Sequence, residues 1–182
     1  MSGGVADASS TALVPDGPLG RFVVALFDRL DRVLLVAAAI AAVLGALVLT
    51  ESVVVRYLLR QSTDWQDETT VFLLVGSTFL SAPYVQSIRG HVAIEALAEI
   101  LPARVNRWRV ALVDLVSLAF CAFFAWKSWT LFDEAWVDGQ TTSSSWGPPL
   151  WIPYATMATG MTLLTLRIAL QAWLGLGGGR RP

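Results

Sequence analysis

Residues 56–70 read RYLLRQSTDWQDETT and residues 87–102 read SIRGHVAIEALAEILP, with the uncharged run 71–86 between them. A charged, Trp-bearing helix start leads into a span of membrane length. The span exits into a basic Arg89-Gly90-His91 turn, then into a shorter amphipathic helix closed by Pro102. A soluble single-domain core does not need this order. A small integral membrane protein with an in-plane helix does.

The segment 91–101 is too short to cross a bilayer. His91, Glu95 and Glu99 recur every four positions, and Val92, Ile94, Leu97, Ala98, Ile100 and Leu101 cover the rest. That pattern predicts a helix with one polar stripe and a wide apolar face. It should lie along the interface, apolar side toward lipid or a partner. His91 and Glu95 have metal-ligand spacing, but no third ligand lies nearby, so the expected reading is a solvated or partner-facing stripe.

The composition agrees. Of the 182 residues, 55% are apolar and only 15% are charged. So few charges cannot cover a soluble globule of this size. A net charge of -1 and the absence of basic runs or zinc spacings exclude a nucleic-acid-binding module. The one cysteine, Cys121, lies in an apolar run and cannot form an internal disulfide. Its expected role is apolar filling. Residues 1–20 are rich in Ser, Ala, Gly and Pro and predict a disordered tail, with a second short tail at 176–182. The first apolar run is too long for a signal peptide and is expected to be kept as a span.

The expected fold is all-α and integral to the membrane. A membrane domain over 21–175 holds four transmembrane helices at about 33–55, 69–88, 108–131 and 150–174, since each needs roughly 20 apolar residues. Ten basic residues flank the second loop and the two termini, whereas Arg56, Arg60 and Lys127 alone serve the first and third loops. Cytoplasmic loops keep Lys and Arg, so both termini are expected inside, in a bacterial inner membrane. Trp65, Trp129, Trp136, Trp146 and Trp151 then fall at the outer boundary, and Trp108 and Trp173 at the inner one, as headgroup anchors. Ser62, Thr63 and Asp64 are candidate N-caps of the second span, and Asp67 and Glu68 favour its first turn. Pro83 should kink that span or open a backbone carbonyl to a neighbour.

Charges inside spans are costly and usually paired. Asp114 and Arg167 fall at matched depth on the third and fourth spans and are expected to pair. Glu51 and Lys127 suggest a second pair near the other end, with Arg56 an alternative partner for Glu51. The span centres offer mainly Ser, Thr and Gly, which argues for a scaffold over a carrier. Enzyme readings fail on residues. A haem subunit needs two histidines and the chain has only His91, which also lies outside the spans where an intramembrane protease would need it. No cofactor is expected.

Several of these features together resemble the small membrane subunit (DctQ-type) of TRAP transporters, the tripartite ATP-independent periplasmic transporters. Arg56-Tyr57 follows the first span. Trp65 stands three before Glu68, as in that family's W-x-x-E helix start. Arg89, Gly90, His91 and Glu95 are similar to its R-x-G-H-I-x-x-D/E pattern, with Gly90 directly after Arg89 and Val92 for the isoleucine. Leu101-Pro102 ends the in-plane helix, and 149–153 resembles the proline-bearing entry to the fourth span. Two features depart from the pattern. Gly76 and Pro83 lie in a Ser/Thr-rich second span where the family more usually carries tryptophan, and the third loop, VDGQTTSSSWGPP, is of a freely varying sort. The resemblance implies a non-catalytic subunit of a sodium-coupled, binding-protein-dependent system, often for organic acids. Its implied partners are a large permease subunit that it braces, a periplasmic solute-binding protein, and membrane lipid. Arg56, Trp65, Glu68, Arg89, Gly90, His91, Glu95 and Pro102 would be assembly positions, Trp65 and Glu68 near the outer face and Arg89, His91 and Glu95 at the cytoplasmic edge. The alternative is a four-span adaptor or assembly subunit of another membrane complex.

Overall fold

A computed structural model describes residues 18–89 and 103–176. The described chain forms four long helices: α1 (Pro18–Val54), α2 (Asp64–Arg89), α3 (Ala103–Val137) and α4 (Trp151–Leu176). The expected in-plane helix at 91–101, with Gly90, His91, Glu95 and Pro102, lies outside the described residues.

α1, α2 and α3 outrun the apolar stretches that predict them, whereas α4 keeps its expected bounds to within two residues. α1 starts at Pro18, inside the stretch expected to be disordered, because proline is pre-set for the first helical position, where no N–H is needed. Its 37 residues span about 55 Å, well beyond the roughly 30 Å of a hydrocarbon core. α1 widens into a π turn at Val55–Leu59 and stops at Arg60, whose left-handed backbone (φ 52°) cannot continue a helix. α3 ends at Val137, and Gly139 two residues on is also left-handed (φ 59°), with the Gln140 amide donating back to the Ala135 carbonyl at 3.0 Å in a Schellman-type cap.

The helices stand in a row, in the order α1, α2, α4, α3, each packed on the next. α1 and α2 run antiparallel: Ser52 meets Asp67, and Gly45 meets Leu73 and Leu74. α2 and α4 run parallel, since Gly76, Phe79 and Gln86 meet Thr156, Gly160 and Gln171 in that order. α3 runs antiparallel to α4, with Trp136 against Trp151 and Trp129 against Thr162.

The buried apolar side chains are mostly small, namely Ala38, Ala125, Ala135 and Ala158, with Met161 and Ile168. Large apolar residues face outward on every helix, among them Val36, Ile40, Phe120 and Phe123. This inverts a soluble core. Lipid tails are as apolar as leucine, so close backbone approach and polar contacts hold the helices together.

Three helical stretches among the described residues are long and apolar enough to cross a membrane: Gly20–Leu59, Asp64–Ile88 and Leu112–Val137. α4, the expected fourth span, is not among them. It is interrupted by threonines and by Arg167 and Gln171.

Candidate functional site: polar clasps along the helix row

At the end where α1 hands over to α2, the widened π turn brings Arg56 back over the start of α2. Its Nε and Nη2 donate to Thr63 Oγ1 at 3.2 and 2.6 Å, and Nη2 reaches Asp67 Oδ2 at 2.5 Å. Ser52 donates to the other Asp67 oxygen at 2.9 Å. Thr63 thus spends its hydroxyl on Arg56, while its carbonyl accepts the Asp67 amide at 3.1 Å and opens the helix. One turn along, Gln66 Nε2 donates to Glu51 at 3.2 Å.

The α3–α4 loop closes over the same end. Leu150 donates to the Gln140 carbonyl at 2.9 Å and Thr142 to the Pro148 carbonyl at 3.0 Å, making a short two-stranded clip. Gly147, left-handed at φ 59°, turns the clip so that its amide meets Ser144 Oγ at 3.1 Å. Ser145 then donates to Asp64 Oδ2 at 2.5 Å, tying the loop to the start of α2. Ser62, Asp64, Trp65, Ser145 and Trp146 line an open groove of about 390 Å³ at this seam.

In the middle of the row, α2 and α4 approach to backbone contact. Pro83 is almost fully buried within α2 and has no N–H, so the Phe79 carbonyl loses its usual helical donor. Gly160 sits directly against that carbonyl. A Cβ built on Gly160 would stand 2.3 Å from the Phe79 oxygen. Only a glycine Cα–H fits there, and it offers the orphaned oxygen a weak hydrogen bond. The sequence anticipates the opened carbonyl and leaves its neighbour unnamed.

At the opposite end, Arg167 of α4 is only 8% exposed. It lies about 24 Å along α4 from Trp151, toward the far edge of a hydrocarbon core. Its carboxylates come from α1 in place of the expected Asp114: Nη2 meets Asp28 Oδ1 at 2.7 Å and Nη1 meets Asp31 Oδ2 at 3.5 Å. Asp31 is 1% exposed. Although α3 also packs on α4, the long N-terminal part of α1 reaches past α2 and brings both carboxylates to Arg167. Beside this clasp, Gln86 Nε2 donates to Gln171 Oε1 at 3.2 Å, and Gln171 Nε2 donates to the Gln86 carbonyl at 3.4 Å.

The other expected pair also takes different partners. Glu51 meets Gln66, while the Lys127 ammonium lies 4.9 Å above the Trp126 ring. Arg56, the alternative partner for Glu51, binds Asp67. Asp114 is partly buried on α3. Trp65 is half-exposed, and Glu68, partly buried, keeps Oε2 away from solvent. Arg89 is the last residue of α2. Sequence reading missed Asp28 and Asp31. Their spacing of three puts them on one helix face, a signal masked by the neighbouring Arg29 and Arg32. Among the described residues no group of three or more His, Cys, Asp or Glu side chains is placed to hold a metal ion.

Comparison with known proteins identifies the family. Residues 45–178 match the model of the DctQ component of tripartite ATP-independent periplasmic transporters. The chain is 29% identical over 161 residues to the C4-dicarboxylate TRAP transporter small permease protein DctQ of Vibrio cholerae serotype O1, covering 74% of this chain and 68% of that protein. No solved structure matches. Family membership and three membrane-length apolar helices together support a multi-pass inner membrane protein. With the match running from the second half of α1 through α4, the chain belongs to the DctQ family, the small permease subunits of TRAP transporters.

Proposed function

We propose that this subunit is a rigid brace for the large permease subunit of a sodium-coupled, binding-protein-dependent transporter, and that it helps dock the solute-binding protein on the outer side. All four helices cross the membrane in this reading, α4 as the partner of the other three. Both termini lie in the cytoplasm, where the ten basic residues of the termini and second loop collect. The solute is an organic acid, and the name of the Vibrio cholerae relative favours a dicarboxylate.

One observation carries the bracing role. Polar or close-packed contacts join the helices near both of their ends and midway along them: Arg56–Asp67 and Phe79–Gly160 tie neighbours in the row, and Arg167–Asp28 ties α4 to α1 across α2. Such cross-links oppose sliding of one helix past another. Sliding is what a carrier needs and what a fixed support avoids.

The test is reconstitution in proteoliposomes. The large subunit with this chain should take up solute when sodium and the binding protein are supplied. The large subunit alone should lose most of that uptake. Equal uptake with and without this chain would refute the brace.

A further inference from the structure

The groove at the α2–loop seam is more than a gap between elements. It is lined by Asp64, an exposed carboxylate at the start of α2 that accepts a hydrogen bond from Ser145. Its walls include Trp65 and Trp146, which are 48% and 51% exposed. Trp136 and Trp151 stack on each other, and Trp129 packs on Phe132, whereas neither Trp65 nor Trp146 takes a ring partner among the described residues. Among the described residues Asp64 forms no ion pair, although the nearby Arg56, bonded to Asp67 and Thr63, adds a positive field at it. The site therefore offers a carboxylate and one half-free indole from the start of α2, and a second half-free indole from the clipped loop.

The net charge around it is negative. Residues 51–70 and 127–138 carry seven carboxylates against three cations. A tryptophan face attracts a cation more strongly than any other side-chain face, and a planar guanidinium can stack on it while bonding a carboxylate. The volume, about 390 Å³, admits such a group with room to spare.

We propose that this groove receives an arginine side chain from the solute-binding protein, as a specific anchor within a wider attraction between an acidic face and a basic one. The proposal rests on the docking role given above and adds its site and chemistry. Complementary charge should speed encounter and make it sensitive to salt, while the seated arginine should govern release.

The test uses the small and large subunits together in lipid nanodiscs, with the purified cognate binding protein as probe. Asp64→Asn and Trp146→Ala should each weaken binding by about tenfold, mainly through faster dissociation. Asp64→Glu should keep most of the affinity, and all variants should still co-elute with the large subunit. Unchanged affinity in both damaging variants would overturn the groove and leave the docking role standing. Absence of binding by the unmodified complex would overturn both. Weakening seen only in nanodiscs containing phosphatidylethanolamine would also overturn the proposal, since the groove would then hold a lipid ammonium.

Discussion

Gly160→Ala is the most decisive single substitution in this protein. Its Cβ would lie 2.3 Å from the Phe79 carbonyl oxygen, 2.6 Å from the carbonyl carbon and 2.9 Å from the Phe79 Cβ. Carbon and oxygen normally rest at about 3.3 Å or more, so the two backbones must part by roughly 1 Å. No flexible side chain can yield, because the obstacle is main chain, and Pro83 holds that stretch of α2 buried against its neighbour. Overpacking of this kind costs about 1–3 kcal/mol, and losing the Cα–H contact to an oxygen with no helical donor adds roughly 0.5–1 kcal/mol. The total, about 1.5–4 kcal/mol, corresponds to a fall of roughly 3–16 °C in unfolding midpoint for a chain of this size. Gly76→Ala is the internal control. Its Cβ would meet Thr156 at 3.8 Å, an ordinary contact, so the midpoint should stay within about 2 °C of the parent or rise slightly, alanine being the better helix former. Both midpoints can be read by heating the detergent-solubilised protein and following the fraction that remains monodisperse. If Gly160→Ala melts with Gly76→Ala, the α2–α4 backbone contact is not part of the stable fold.

Two further expectations follow from the charges and the topology. Arg167→Gln leaves Asp28 and the buried Asp31 without their cation and should cost about 3–5 kcal/mol, whereas Asp67→Asn breaks a half-exposed pair and should cost at most about 1 kcal/mol. Yield of folded protein should thus collapse in the first and barely change in the second, and adding Asp31→Asn to Arg167→Gln should recover part of it. For topology, Ser143→Cys in a Cys121→Ala background should react with a membrane-impermeant maleimide in spheroplasts, while a cysteine appended to the C-terminus should react only after lysis. The reverse pattern would invert the proposed orientation.

Much of the helix content was legible locally. The apolar run 71–86 bounded by Asp64, Asp67 and Arg89 announces a membrane helix from contiguous residues alone, and α2 occupies it. Boundaries were less legible. α1 runs far beyond its apolar stretch, because nothing in the sequence from Pro18 to Arg32 breaks a helix and its polar face there finds a partner in α4. The expected charge pairs illustrate a different gap. Matching depths led to Asp114 for Arg167, on helices that do pack together, and to Lys127 for Glu51, on α3 and α1, which are not neighbours in the row. Arg167 and Asp28 are separated by 139 residues, and only the N-terminal extension of α1 past α2 brings Asp28 to Arg167.

The sequence by itself determined that this chain is a helical membrane protein of the DctQ kind. Hydropathy, cap residues and short motifs are properties of adjacent residues, and the bilayer forces such runs into helices by denying their backbones any other hydrogen-bond partners. The tertiary structure alone decided how the helices are clasped. Which carboxylate neutralises Arg167, which residue covers the carbonyl that Pro83 frees, and which loop meets Asp64 all depend on packing between segments far apart in the chain. In a lipid-facing bundle that packing is set by small residues and buried polar groups.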